Sequence, residues 1–398
     1  MQELQNLAEA LAARLGRAVA VDDPQFRLLT HTSHHGVVDA ARTQSILERR
    51  IDGDLIQYAL SFGLESSPEP WMRVPGSQER GLLTRVVAPL RAQGVLLGYL
   101  WIIEAGQPMT ADDLADVTDV AHTAALILHR ERLLLDVERG RDRERLRDLM
   151  ADDVGVRTAA AHALREAGRV PQEEHLRVLL VLVSAGQDRS AELPQVLEDA
   201  MERVARRFTP PALAVARGNQ GVLLLTAPDQ AVEITAQAIR ADVARQVPDV
   251  TLRTGAGDAA SGLEDVHRSW RQARQAVRVA ECFSGFPDDA QWSELGVYRL
   301  LVHMSLDDVP EDARPHELLE LLETTGGREL ARTVEAYLDS GGDARGTAEA
   351  MHLHRTSLYH RLNRFEALTG LELKRGQDRL AAHLGLKLAR LTGRYPQE

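Results

Sequence analysis

The sequence has a single cysteine, Cys282, and only 4% aromatic residues. One cysteine excludes an internal disulfide and a zinc cluster built from several cysteines. The longest apolar segment, GVLLGYLWII (94–103), falls short of the roughly 20 residues that span a bilayer. The N-terminal stretch also lacks the charged start and apolar centre of a signal peptide. We therefore expect a cytoplasmic protein without a membrane partner, its cores built mainly from Leu, Val and Ala.

The charge is unevenly distributed along the chain. The formal net charge is −12, yet residues 344–398 hold ten Arg and Lys against five Asp and Glu, which leaves −17 on the rest. A basic module on an acidic body is typical of a DNA-binding domain attached to another domain, although a solvated helical surface would give the same count.

With 398 residues, the chain is long enough for two or three domains. Its first third predicts a helix that ends at Gly16, two strands around a turn at 22–24, a helical stretch over 45–63, and a long β-hairpin that turns at 91–94. This order fits an antiparallel sheet covered by helices.

A long helix is predicted from Ala111. Its apolar stripe has three-to-four spacing and consists of Leu114, Val117, Ala121, Ala124, Leu128 and Leu135. The stripe could pack on the sheet or form a seam between subunits. We favour the seam because the predicted helix is longer than a single small domain. The charge run that follows, 138–148, is typical of a solvated connector.

A second α/β unit begins near His175. LRVLLVLVSA predicts a buried strand, and ALAVARGNQGVLLLTA predicts a hairpin around 218–221. Helices are expected near 193–207 and 231–246, and an amphipathic helix follows the glycine-containing loop TGAGDAASG (254–262). From Trp292 onward the pattern is helical throughout.

The segment AEAMHLHRTSLYHRLNRFEALTG (348–370) has the pattern of a helix-turn-helix. Asp343 is a suitable cap for a short first helix, and Gly341 and Gly342 end the helix before it. HLH forms the turn, and the second helix runs to about Leu368, with Gly370 closing it.

The second helix separates its residues by role. Leu358, Leu362, Phe365 and Leu368 are predicted to form the inner face, against Ala348 and its neighbours. The outer face and its edges are polar and cationic, which suits base edges in a major groove and the phosphates beside it. The predicted DNA-binding residues are Arg355, Thr356, Ser357, Tyr359, His360, Arg361, Asn363 and Arg364. Arg361 lies at an edge, where its stem could instead cover the core.

TAEAMHLHRTSLYHRLNRFEALTGLEL resembles the C-terminal helix-turn-helix of PucR/CdaR-type bacterial transcriptional regulators. ELARTVEAYLDSGGDARGTA before it and RLAAHLGLKLARL after it resemble the same family, so that the similarity covers about 329–391. One residue departs from the pattern: His352 stands where such proteins often have glycine. The resemblance implies operator DNA as the partner. Because one short recognition helix makes few base contacts, we also expect a homo-oligomer, a dimer or higher.

The rest of the chain resembles the same family. SWRQARQAVRVAECF and WSELGVYRLL resemble its central domain, a degenerate relative of the GGDEF nucleotidyl cyclase fold, and FRLLTHTS with VVAPLRAQGVLLGYLWII resembles a GAF-type sensor domain. These resemblances imply a multidomain α+β chain. The expected parts are a GAF-like sensor (1–129), a helical linker (130–172), a degenerate GGDEF-like domain (173–290) and an all-α C-terminal domain (291–398).

Other candidate sites carry weaker patterns. HTSHHG (31–36) contains three histidines, but no neighbouring acidic pair completes a metal site at a recognised spacing. TGAGDAASG lacks the dinucleotide fingerprint and the P-loop lysine, so a turn at a strand end is favoured over a nucleotide cradle. Cys282 lies on an apolar helix face and is expected in a core. We expect no catalytic residue, no metal and no cofactor.

The leading hypothesis is therefore a DNA-binding transcriptional regulator whose N-terminal domain senses a small molecule or a partner. Two alternatives remain. The middle domain could bind or cyclise a nucleotide, although no Gly-Gly-Asp/Glu-Glu-Phe segment is present. The basic C-terminal segment could instead dock an acidic protein partner.

Overall fold

The structure is a computed structural model that describes residues 1–32, 39–48, 53–170, 175–184, 191–226, 228–283, 285–305 and 315–395. The chain divides into two compact units, Met1–Gly140 and Arg141–Glu398. In the described residues, no helix combines the length and the apolar character needed to cross a membrane.

The N-terminal unit is built on a five-stranded antiparallel sheet in the order β2-β1-β5-β4-β3. The predicted hairpin is confirmed as β4 and β5, and Gly16 ends the first helix in a left-handed conformation, with φ of 60°. The elements are α1 (Gln2–Leu15), β1 (Val19–Asp22), β2 (Leu28–His31), α2 (Ala40–Glu48), α3 (Gly53–Leu60), β3 (Met72–Val74), β4 (Arg85–Ala92), β5 (Val95–Ile103) and α4 (Ala111–Leu149).

Both faces of this sheet are covered, because alternate side chains of its strands point to opposite sides. Leu100 and Ile102 of β5 pack with α1 and α4, whereas Tyr99 and Trp101 lie on the other face with residues of α2 and α3. The near-continuous apolar run of β5 follows from this double burial.

The interpretation of the α4 stripe as a subunit seam is wrong for most of its length. Val117, Ala121, Ala124 and Leu128 are buried in the core of their own unit, because the first half of α4 lies on the sheet. Leu135, the last member of the stripe, is 57% exposed.

The second unit contains another five-stranded sheet, in the order β10-β9-β6-β8-β7. Its strands pair antiparallel except β9 and β10, which are parallel. The strand β10 was not predicted, since three residues leave no readable period. The elements are α5 (Val154–Glu166), β6 (Leu176–Ser184), α6 (Leu193–Ala205), β7 (Leu213–Arg217), β8 (Gln220–Thr226), α7 (Asp229–Gln246), β9 (Thr251–Ala256), α8 (Val266–Cys282) and β10 (Asp289–Gln291).

The segment 138–148 is more than a solvated connector. It is helical as the end of α4, and Leu146 is fully buried in the core between the second sheet, α5 and α8. Asp142 is also buried, and Arg169 binds its carboxylate at 2.7 Å. A charge-rich sequence can therefore still carry one apolar face.

The part after β10 is helical, as predicted. Its helices are α9 (Tyr298–Leu301), α10 (His316–Glu323), α11 (Thr325–Asp339), α12 (Ala344–Ala350), α13 (Arg355–Thr369) and α14 (Gly376–Leu391). They share an apolar core with the outer face of α8, to which Ala276, Val279 and Ala280 contribute.

The glycines of TGAGDAASG allow α8 to lie directly on the sheet. A Cβ on Gly255 would overlap the carbonyl oxygen of Ala273, and a Cβ on Gly257 would overlap that of Ser269. Ser269 is buried, and the amide of Val178 in β6 donates to its hydroxyl at 3.0 Å. Close helix–sheet packing accounts for these two glycines.

We predict that Gly257→Ala lowers the free energy of unfolding by about 1–3 kcal/mol, because the added methyl group forces α8 away from the sheet. Urea denaturation followed by circular dichroism measures the change.

The matched control is Gly140→Ala in α4, where an added Cβ meets no heavy atom within 4 Å. This variant should gain up to about 1 kcal/mol from helix propensity. Equal stability of Gly257→Ala and the parent would contradict the packing argument.

Candidate nucleic-acid interface

Helices α12 and α13 form the predicted helix-turn-helix. Asp343 caps α12, its carboxylate accepting the backbone N–H of Arg345 at 3.0 Å. The preceding glycines, Gly341 and Gly342, have φ of 72° and 91°, which explains why glycine stands at both positions. The first helix and its boundaries thus follow from local sequence signals.

The turn between the two helices is tight. His352 has φ of 53°, a left-handed conformation that glycine adopts at lower cost. The amide of Leu353 donates to the carbonyl of Ala348 at 2.8 Å, and the His354 ring caps α13 by accepting the N–H of Thr356 at 3.3 Å. His352 therefore occupies the left-handed turn position at which related helix-turn-helix proteins often have glycine.

The inner face of α13 is apolar. Leu358 and Phe365 are fully buried and Leu362 is 5% exposed. The prediction that Leu368 completes this face is wrong, since its side chain is 51% exposed and Thr369 is buried instead. Each residue turns the helix by about 100°. The side chain of Thr369 therefore lies closer than that of Leu368 to the average direction of the other three around the helix axis. Its hydroxyl donates to the carbonyl of Phe365 at 2.9 Å.

The outer face of α13 is exposed and polar. Arg355, at the start of the helix, places its guanidinium 5.7 Å from the centre of the Tyr359 ring. A hydrogen bond with the Tyr359 side chain raises the pKa of Arg355. Seven of the eight predicted DNA-binding residues lie exposed on this helix: Arg355, Thr356, Ser357, Tyr359, His360, Asn363 and Arg364.

Arg361 differs from the other seven. It is half-buried, and its Nη1 donates to the hydroxyl of Thr333 on α11 at 3.1 Å. Thr333 itself is fully buried and also donates to the carbonyl of Glu329. Arg361 therefore links α13 to the helix behind it.

Sequence reasoning missed a buried ionic network between α11 and α14. Glu335 accepts from Lys387 Nζ at 2.9 Å and from Arg390 Nη2 at 2.7 Å, and Lys387 also binds Asp339 at 2.8 Å. The sequence does carry a signal for this network. Two acidic residues stand four apart on α11 and two basic residues stand three apart on α14, each pair within an otherwise apolar stripe.

The N-terminal unit holds a second buried polar cluster. Asp39 caps α2, accepting the N–H of Arg42 at 2.8 Å, and it also binds the Arg85 guanidinium at 2.9 Å. Burial raises the pKa of the nearby Asp22 to about 7 against the opposing charges of Arg42 and Arg85. Arg85 and Trp101 line an apolar cavity of about 20 Å³, which is room for about one water molecule.

The metal hypothesis at HTSHHG stays open. His34 and His35 lie outside the described residues, and only His31 of the three histidines is within them.

Two family models match this chain. The PucR C-terminal helix-turn-helix domain matches residues 330–388, and a GGDEF-like domain matches residues 156–279. These matches place α13 inside a helix-turn-helix of the PucR type.

Three curated proteins are similar over most of the chain. The proline-responsive transcriptional activator PutR of Bacillus subtilis (strain 168) is 22% identical, over 97% of this chain and 96% of its own. The DNA-binding transcriptional activator AdeR of the same organism is 20% identical, over 97% and 92%. The carbohydrate diacid regulator of Escherichia coli (strain K12) is 26% identical, over 77% and 80%.

Two solved structures are similar to parts of the chain. The cofactor-binding GAF domain of the nutrient sensor CodY from Clostridium difficile is 17% identical, with a TM-score of 0.24, over 31% of this chain and 83% of that one. The regulator of polyketide synthase expression from Bifidobacterium adolescentis is 18% identical, with a TM-score of 0.27, over 64% and 98%.

The family matches and the curated relatives confirm the resemblance to PucR/CdaR-type regulators. They also confirm the prediction of a DNA-binding transcriptional regulator. The multidomain α+β architecture is confirmed as well, with a GGDEF-like domain and an all-helical C-terminal part.

We predict that His352→Gly stabilises the protein by up to about 1 kcal/mol. Glycine releases about 1–2 kcal/mol of left-handed strain in the folded protein. This exceeds the roughly 0.4–1 kcal/mol by which the greater conformational entropy of glycine stabilises the unfolded chain. Thermal denaturation of the two proteins side by side measures the difference.

The control is His354→Gly two residues later, where φ is −72°. There the substitution removes a cap and relieves no strain, so the protein should lose stability. If both variants change the melting temperature in the same direction, the strain at His352 is not what the turn geometry indicates.

Proposed function

We propose that this protein regulates transcription by placing α13 in the major groove of operator DNA. The observation that carries the proposal is the division of α13 into a buried apolar face and an exposed face of seven polar or cationic residues. Hydrogen-bonding side chains at the centre suit base edges, and arginines at the margins suit phosphates. The N-terminus of the helix is the positive end of its dipole, which favours a phosphate at that end.

The residues of α13 divide into three roles in this proposal. His360, Asn363 and Arg364, in the middle of the exposed face, contact base edges. Arg355 at the N-terminal end contacts a phosphate. Arg361, which binds Thr333, holds the helix at its angle to α11 and is a positioning residue.

The middle domain has a structural role in this proposal and no catalytic one. The curated relatives are transcriptional regulators, and the sequence contains no Gly-Gly-Asp/Glu-Glu-Phe segment to hold Mg²⁺ against a nucleotide. Its α8 supplies apolar side chains to the core on which the C-terminal helices pack. The protein acts in the cytoplasm, where the operator is.

Sensing belongs to the N-terminal unit in this proposal, as a GAF-like domain. Support comes from two buried carboxyl groups, Asp22 and Asp39, close to Arg85, which lines a small apolar cavity together with Trp101. Burying an ionisable group costs free energy that depends on its partners, so a ligand that changed the pairing of these carboxyl groups would change the stability of this unit.

The regulator acts as a dimer in this proposal, since one helix of this length makes few base contacts. Two copies of α13 would read half-sites about 34 Å apart or a multiple of that distance. Support comes from three exposed side chains on one side of α4: Leu126, Leu133 and Val137 are 50%, 51% and 53% exposed. Spacings of seven and four residues place them in one stripe, which can pair with its own copy around a two-fold axis.

We predict that His360→Ala and Arg364→Ala each weaken operator binding by about 1–3 kcal/mol and leave binding to unrelated DNA nearly unchanged. Arg355→Ala should weaken binding to both and reduce the salt dependence. Fluorescence anisotropy with a promoter fragment and a scrambled fragment at several salt concentrations measures all three.

The matched control for the arginines is Arg375→Ala, an exposed arginine outside α13. The proposed role of α13 would be wrong if folded His360→Ala and Arg364→Ala proteins bound the promoter as tightly as the parent.

We predict that Leu133→Glu converts the dimer to a monomer, because it places like charges opposite each other where Leu126, Leu133 and Val137 of the two copies meet. Sedimentation at micromolar concentration measures the mass. Leu135→Glu is the control, since Leu135 is 57% exposed but lies about half a turn away from Leu126. A parent that is already monomeric would overturn the dimer, and equal masses for both variants would overturn the contact through α4.

A further inference from the structure

His354 lies directly before α13, and its side chain is exposed. It is not among the predicted DNA-binding residues, because the sequence assigns it to the turn between the two helices. Its ring nevertheless belongs to the helix. Nδ1 accepts the backbone N–H of Thr356 at 3.3 Å, and the Thr356 hydroxyl lies 3.1 Å from the same nitrogen.

This cap determines where the His354 ring carries its proton. A backbone N–H can only donate, so Nδ1 must offer its lone pair to Thr356. A neutral imidazole has one N–H, and the proton is then on Nε2. The ring therefore combines an acceptor directed at the helix with a donor on its other nitrogen.

The donor on Nε2 is available to another molecule. The two ring nitrogens form hydrogen bonds in different directions, so Nε2 is directed away from the backbone that Nδ1 caps. Within the part of the chain that the structure describes, no group accepts a hydrogen bond from Nε2. Because the side chain is exposed, an acceptor from outside the protein can reach it.

The surroundings of this donor favour an anionic acceptor. It lies at the positive end of the α13 dipole and next to the exposed Arg355. The sequence from Met351 to Phe365 contains no acidic residue that would repel an anion. Phosphate oxygens accept at least half of the hydrogen bonds between proteins and DNA.

We propose that His354 donates from Nε2 to a phosphate of the operator while its Nδ1 caps α13. This contact rests on the proposed function, because it requires α13 to lie in the major groove. One ring then joins the first turn of the helix to the DNA backbone and makes His354 a positioning residue. A phosphate contact carries no sequence information, so it strengthens binding to operator and unrelated DNA alike.

Two substitutions separate the cap from the contact. His354→Ser keeps a capping oxygen beside the helix backbone and removes the ring N–H, and His354→Asp keeps a cap and adds a negative charge. Both proteins should melt at or above the temperature of the parent. In fluorescence anisotropy with the promoter and scrambled fragments, His354→Ser should bind both about tenfold more weakly, and His354→Asp more weakly still. A residue that only caps the helix would show neither loss.

The salt dependence of binding distinguishes this contact from that of Arg355. A neutral donor releases no counterion, so His354→Ser should keep the salt dependence of the parent, whereas Arg355→Ala reduces it. The control for charge is Gln377→Asp, which makes the same change at an exposed position in the first turn of α14. It should bind both fragments nearly as the parent does.

Folded His354→Ser and His354→Asp proteins that bind both fragments like the parent overturn the phosphate contact. If His360→Ala and Arg364→Ala still weaken operator binding, the proposed function stands without it. Equal losses for His354→Asp and Gln377→Asp, with His354→Ser binding like the parent, show a general effect of charge and also overturn the contact. Should His354→Ser fail to fold, the comparison of His354→Asp with Gln377→Asp decides.

Discussion

The packing of α13 on α11 is the interaction on which the proposed DNA-reading surface depends. Leu358, Leu362 and Phe365 are buried together, so that every side chain on the opposite side of α13 is directed to solvent. The hydrogen bond from Arg361 to Thr333, at 3.1 Å, is partly buried, and it contributes to fixing the rotation of α13 about its axis. A polar surface can read DNA only when its orientation is fixed, and here apolar burial provides that orientation.

Helix α11 is in turn held from its other side. Glu335 and Asp339 tie it to α14 through Lys387 and Arg390. Removing one member would leave an uncompensated buried charge, a loss of about 3–5 kcal/mol in such networks. The orientation of α13 therefore also depends on charges that lie on α11 and α14.

Local signals in the sequence were enough to predict many elements. Gly16, the β4–β5 turn and the Asp343 cap each act over a few residues, and each is where the sequence placed it. The exposed side of α13 was predicted for the same reason, since the 3.6-residue period separates its two faces. Leu368 shows the limit of this reasoning. It was assigned to the core because it is hydrophobic, although Thr369 points more directly toward the core and is the residue that is buried.

What could not be predicted depends on residues distant in sequence. The stripe of α4 has the spacing of a seam, but only the sheet beneath its first half decides that Val117 and Ala124 are core residues while Leu135, on the same side of the helix, is exposed. The same spacing thus gives a buried side over the sheet and an exposed side beyond it. Because α4 leaves its sheet after Leu128, the apolar side chains beyond that point have no core of their own unit to join. Exposed leucines in regular register on a helix are costly for a lone chain, and pairing with an identical helix removes that cost.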